Sequence, residues 1–188
     1  MAVLPIIISG DPVLHSPART VTTFDRELRD LVDDMVETMK AAPGVGLAAP
    51  QIGIDLRIFV FEWTDDDGVH SSGTAINPKL WVSPVPLGDP DEEDESEGCL
   101  SIPGERFPLR RAHEAILHAV DVEGKPFELT ATGWFARILQ HEFDHLDGVL
   151  YADRLNCDQS KLARKVIKKN GWGSPGLSWM PGLDNLEG

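Results

Sequence analysis

The sequence predicts an α+β domain in which antiparallel sheets surround a central helix carrying an HExxH metal-binding motif. Three observations carry that prediction. Trp134 to Leu146 can form a helix whose apolar residues, Phe135, Ile138, Leu139, Phe143 and Leu146, fall on several faces, as a buried helix requires. A second, amphipathic helix precedes it in the chain, and two pairs of apolar, β-branched segments lie between them.

Taken in order, residues 24–41 place Leu28, Leu31, Val32, Met35, Val36 and Met39 at helical spacing, with charged residues opposite. Thr23 or Asp25 can cap the start, and Pro43-Gly44 ends the helix. The run GVGLAAPQIG, 44–53, then reads as a constrained, glycine-punctuated loop. Leu56 to Phe61 and Gly73 to Asn77 form a strand pair separated by the polar stretch Thr64 to Ser72. Val82 to Glu97 is proline-rich and then acidic, with Asp89, Asp91, Glu92, Glu93, Asp94, Glu95 and Glu97, and reads as a solvated loop. Ala115 to Val122 and Pro126 to Thr132 make a hairpin through Glu123-Gly124-Lys125. After the buried helix, Asp158 to Lys169 forms a last helix stopped by Asn170-Gly171. Residues 1–170 therefore read as one domain, and 171–188 as a Gly/Pro/Trp-rich tail docked on it through Trp172, Leu177, Trp179 and Met180.

Composition narrows the function classes. In 188 residues, 17 Lys plus Arg face 31 Asp plus Glu, a net charge of −14. Such a surface repels phosphate backbones and counts against a free-standing nucleic-acid binder. At 41% hydrophobic residues the chain can bury a core without staples. Two cysteines, Cys99 and Cys157, fit reduced thiols in the cytosol better than a secreted disulfide framework. The apolar start, Val3 to Ile8, is broken by Pro5 and lacks a basic leader, so it fails as a signal peptide, and no segment approaches membrane-spanning length.

The strongest chemical signal is His141-Glu142-Phe143-Asp144-His145. Histidines at i and i+4 share one helix face and reach one ion, and the glutamate between them can sit beside a water on that ion. A catalytic site of this type needs a third protein ligand. The extended metzincin pattern places a histidine where Tyr151 stands, and no glutamate follows before Glu187. Cysteine remains: Cys99, in Glu97-Gly98-Cys99-Leu100-Ser101, is favoured, and Cys157, beside a surface helix, is the weaker choice.

GVGLAAPQIG at 44–53, EGCLS at 97–101 and QHEFDHLDG at 140–148 together resemble, in order, the three signature motifs of the peptide deformylase family, over Pro12 to about Leu155. The resemblance implies a bacterial cytosolic enzyme, with an organelle the less favoured location, that removes the N-formyl group from the initiating methionine of new polypeptides and releases formate. It implies that Cys99, His141 and His145 hold one divalent ion, natively Fe²⁺, with Zn²⁺, Ni²⁺ or Co²⁺ able to replace it. It implies a metal-bound water as nucleophile, Glu142 as general base and acid, and the Gln51 amide and Leu100 backbone N–H as oxyanion donors. Motif alignment places the peptide along Val45, Gly46 and Gly98, with Val45 and Ile138 forming the methionine slot, Trp134 and Arg137 nearby, and Arg106 close to the peptide. The basic residues Lys161, Arg164, Lys165, Lys168 and Lys169 on helix 158–169 would contact the ribosome transiently. HExxH alone also fits a metallopeptidase, which would cut unformylated peptides. A catalytically silent binding protein is disfavoured by the intact Gln51, Cys99, His141, Glu142 and His145.

Overall fold

In the computed structural model, which describes residues 2–184 and 186, the centre is a five-stranded antiparallel sheet with a helix on each face. The elements in chain order are β1 (Ile6–Ile7), α1 (Arg26–Ala41), β2 (Gly46–Ala48), β3 (Ile58–Thr64), β4 (His70–Val82), β5 (Ser96–Cys99), β6 (Ile102–Pro108), β7 (Glu114–Val120), β8 (Pro126–Thr132), α2 (Gly133–Leu146), α3 (Cys157–Lys169) and β9 (Ser178–Trp179). The large sheet runs β2-β3-β4-β7-β8, while β5-β6 and β1-β9 form separate two-stranded sheets. This is the predicted α+β class.

Alternation along β3 explains why two helices are needed. Ile58 and Val60 pack with Leu28, Val32, Met35 and Met39 of α1, whereas Phe59 and Phe61 pack with Ala136, Ile138 and Leu139 of α2. Successive strand residues point to opposite faces, so each helix covers one row of side chains. Helix α1 begins where Asp25 accepts a hydrogen bond from the Leu28 N–H (3.0 Å), which selects Asp25 over Thr23 as the cap. Helix α3 starts one residue before the predicted Asp158, because Asn156 caps it, and ends as expected at Gly171, whose φ is +72°.

Three local expectations need correction. The 44–53 run is more than a loop: Gly46–Ala48 pairs with β3, a tight turn spans Ala49–Ile52, and Gly53 closes it at φ +79°. Strand β4 continues past Asn77 although Pro78 cannot donate to the ladder. A register shift between Ile76 and Lys79 absorbs the proline, and Asn77, at φ +51°, binds Val21 N–H and C=O through its side-chain amide (2.8 and 2.9 Å). Finally, the acidic run is solvated only in part. Asp89 and Asp91 to Asp94 are exposed, but Glu95 is half-buried and Glu97 is buried within β5, because Arg110, Arg111 and Arg137 supply the countercharge.

The tail is held both by backbone pairing and by apolar packing against the core of Trp172, Leu177 and Trp179, three of the residues expected to dock it. Ser178–Trp179 pairs with Ile6–Ile7, and Trp179 is buried. Asn185, Glu187 and Gly188, the last positions of the expected tail apart from Leu186, lie outside the described residues.

Candidate metal centre

Helix α2 runs with its residues from Ala136 to Glu142 buried, and presents His141 and His145 one turn apart. The β5-β6 hairpin brings Cys99 to them; its register slips between Gly98 and Cys99, which turns the thiol inward. His141 Nε2 lies 3.2 Å from His145 Nε2, and Cys99 Sγ lies 3.3 Å from His145 Nε2. A tetrahedral ion with ordinary bond lengths separates two nitrogens by about 3.3 Å and a nitrogen from a sulfur by about 3.6 Å. The trio therefore fits one small divalent ion. Among the described residues these three form the one group of at least three such donors able to converge on an ion. Cys157, the weaker candidate, is exposed and stands apart from them.

Around the ligands lies a buried charge network. Glu97 Oε1 accepts the Nδ1–H of His141 (2.7 Å), which turns Nε2 toward the other two donors. The same carboxylate binds Arg111 (2.6 and 3.0 Å) and Arg137 (3.0 Å). Arg111 continues to Asp144 (2.6 Å), which also binds Arg154 (2.6 Å). Burial by itself pushes the Glu97 carboxyl up, but the Arg111 guanidinium and the His141 hydrogen bond outweigh it and hold Glu97 well below the usual carboxylate range. Burial likewise opposes charge on His141, yet Cys99 and Glu97 raise its pKa well above that of free imidazole. The surroundings of His141 thus favour a positive charge, which a divalent cation would supply in place of a proton. His145 is shifted the other way by burial and by His141, toward the neutral form that a ligand needs.

Glu142 faces the same space. It is buried, its Oε2 has no hydrogen-bond partner, and burial raises its pKa to about 7. Its carboxylate lies against Gly46, where an added Cβ would overlap Oε1, so a side chain at that point of β2 would displace the glutamate. Gln51 is 1% exposed; its Oε1 accepts the Ala48 N–H (2.9 Å), which aims its Nε2 at Cys99 Sγ (3.7 Å) and Ser101 Oγ (3.4 Å).

A cavity of about 230 Å³ opens onto these groups. Every expected peptide contact lines it: Val45, Gly46, Gly98, Ile138 and Arg106, together with Leu100 and Trp134. Val45 and Arg106 are exposed at its rim, and Ile138 is buried in its wall. Arg137 also reaches the wall, but its guanidinium is engaged by Glu97 and the Leu109 carbonyl (2.6 Å) rather than free for a ligand. Tyr151, at the metzincin-histidine position, is fully buried and donates to the Glu105 carbonyl (3.1 Å).

Sequence reading missed the Glu97–Arg111–Asp144 support. Glu97 opens the EGCLS motif and Asp144 lies inside HExxH, so both stood beside ligands, but the acidic run before Glu97 masked it as surface charge.

The polypeptide deformylase family model matches residues 3–161, a wider span than the motifs alone indicated. The chain is 51% identical to "Peptide deformylase 2" of Corynebacterium efficiens, over 98% of this chain and 96% of that protein. Among solved structures it is similar to a peptide deformylase from Legionella pneumophila (TM-score 0.75, 38% identity, 90% of this chain and 96% of that one). It is also similar to one from Synechococcus elongatus in complex with actinonin (TM-score 0.76, 36% identity, 90% of this chain and 86% of that one). With matches of this identity and coverage, and a Cys-His-His trio converging beside a buried glutamate, the chain belongs to the polypeptide deformylase family.

Proposed function

We propose that this enzyme hydrolyses the formamide of formyl-methionyl peptides to formate and a free α-amine, using Cys99, His141 and His145 as ligands to one divalent ion. The observation that carries the reading is the convergence of those three donors on one another beside a cavity that Cys99, His141 and Glu142, whose Oε2 has no hydrogen-bond partner, all line. When bound, the ion supplies Lewis acidity and makes a water nucleophilic near neutral pH; Fe²⁺ is the native candidate, with Zn²⁺, Ni²⁺ or Co²⁺ as substitutes.

Each residue then has one task. Glu142, buried beside the ligands with its Oε2 free of any hydrogen bond, accepts a proton from the attacking water and returns it to the leaving amine. Gln51 Nε2–H and the Leu100 backbone N–H donate to the oxygen that becomes negative on the former formyl carbon. Glu97 holds His141 in the tautomer that binds through Nε2. Val45 and Ile138 flank the methionine side chain, while backbone at Gly46 and Gly98 receives the extended peptide and Arg106 lies over it. Residues 1–170 form the catalytic domain in this reading, and 171–188 a tail docked on it.

No described helix is long and apolar enough to cross a membrane, and the reading places the enzyme in the bacterial cytosol. Its substrates are nascent chains, and the basic face of α3 approaches the ribosome. Reversing charge at Lys165, Lys168 and Lys169 should weaken ribosome binding at low salt without changing turnover of free peptides. For the reaction, mass analysis of a formyl-Met tripeptide after incubation should give the intact deformylated tripeptide and formate. A cut peptide bond would favour a metallopeptidase.

A further inference from the structure

The tail reaches the turn that carries Cys99 through the side chain of Trp179. Trp179 is 3% exposed, and its Nε1–H donates to the Leu100 carbonyl at 2.9 Å. Leu100 follows Cys99 directly, so this bond falls on the turn that carries both the thiolate ligand and the proposed oxyanion donor. The turn is held from two further sides. Ser9 N–H donates to the Ser101 carbonyl (2.8 Å), and Gln51 Nε2 approaches Ser101 Oγ (3.4 Å).

Ser9 also ties the turn to the tail, because its carbonyl accepts the Gly173 N–H (2.9 Å). Around it, Ile8 N–H donates to the Leu177 carbonyl (2.9 Å), and Gly176 N–H to Asp11 Oδ2 (3.1 Å). The backbones approach so closely that a Cβ at Gly10 would overlap Gly173. Tail and amino-terminal segment therefore form one strap, and Trp179 and Ser9 are its two points of attachment to adjacent carbonyls, those of Leu100 and Ser101.

We propose that Trp179 is a positioning residue: by holding the Leu100 carbonyl it fixes the Cys99-Leu100-Ser101 turn, and through it the direction of the Leu100 N–H and of Cys99 Sγ. This rests on the deformylase reading above. The physical reason is the small number of soft dihedrals in the turn. The Leu100 and Ser101 carbonyls fix the two peptide planes that follow Leu100, so only φ and ψ of Leu100 separate an anchored plane from the one that carries the Leu100 N–H. An oxyanion donor contributes only when its direction is set before the charge develops. An indole is suited to the task because it fills an apolar slot and places one donor at its edge.

Two substitutions separate positioning from packing. Trp179→Phe keeps a ring in the slot and deletes the donor. Site-specific benzothienylalanine at 179 keeps the bicyclic shape and also lacks the N–H, so it serves if the phenylalanine variant folds poorly. In the metal-loaded isostere protein we expect kcat for a formyl-Met peptide to fall about tenfold, with KM unchanged and Tm within about 2 °C of the parent. In the metal-free isostere protein, amide exchange at Leu100 and Ser101 should accelerate about tenfold while β3 amides keep their protection. An unchanged kcat overturns the proposal, whatever exchange does, and assigns Trp179 to packing. If the metal-loaded parent itself releases no formate, the deformylase reading fails instead. Exchange at Leu100 and Ser101 then decides alone whether Trp179 orders the turn, and unchanged rates overturn it.

Discussion

Replacing Glu142 with glutamine should remove activity and, in the metal-free protein, raise stability in a pH-dependent way. Burial is the main cause that lifts the Glu142 carboxyl from 4.5 to about 7; the charges of Glu97 and Asp144 add to it, and His141 and Arg111 partly offset it. That interval corresponds to about 3 kcal/mol. The sign follows from linkage. The folded protein binds the proton more tightly than the unfolded chain, so the favourable contribution of the neutral carboxyl is complete below pH 4.5 and is lost as pH rises to about 7. Glutamine is neutral throughout and has nearly the same volume. Urea denaturation should therefore find Glu142→Gln more stable than the parent by about 3 kcal/mol near pH 8.5, and by less than about 1 kcal/mol near pH 5. The same variant, metal-loaded, should lose about 10²–10⁴ in kcat. A gain equal at both pH values, or none at high pH, would refute the claim that a desolvated carboxylate strains this site.

Further substitutions probe the other supports. Gly46→Ala should displace the Glu142 carboxylate and lower kcat about a hundredfold at unchanged metal content; full activity would show that the close approach has no role. Glu97→Gln leaves Arg111 and Arg137 short of a buried partner, and should cost about 3–5 kcal/mol in denaturant melts and weaken metal binding about 10–100-fold. Because Glu97 titrates below its ordinary range, its contribution is complete above about pH 4.5 and is lost as pH falls toward its lowered pKa, so the parent's advantage over this variant should shrink in acid. Cys99→Ala should abolish tight binding of one ion as read by elemental analysis, whereas Cys157→Ser should leave it intact.

Much of this site is legible in the sequence, and the reason differs by residue. His141, Glu142 and His145 sit on one helix, where fixed spacing translates directly into shared direction. Cys99 and Gln51 lie far from them in sequence; Cys99 follows as the third ligand left once histidine and glutamate candidates fail, and Gln51 only from the ordered motifs, yet Cys99 lies beside His145 and Gln51 beside Cys99. Helix boundaries followed apolar spacing and capping residues closely, as at Asp25 and Gly171. What escaped was context. The extent of β4 depended on a register shift around Pro78 that rests on the distant Val21. Glu97 and Glu95 resembled their exposed neighbours, and only the fold brings Arg110, Arg111 and Arg137 against them. The apolar residues Trp172, Leu177 and Trp179 mark docking points of the tail, but its hydrogen bonds to residues 6–11 are encoded by no local pattern near Trp179.

The most direct test of the central claim is an anaerobic titration of the metal-free protein with Fe²⁺, following formate release from a formyl-Met peptide beside an unformylated control. The account predicts a formate rate that rises linearly, breaks at about one ion per chain and vanishes in Cys99→Ala, with the control peptide intact. No formate from fully loaded protein, or cleavage of the control peptide, would contradict it.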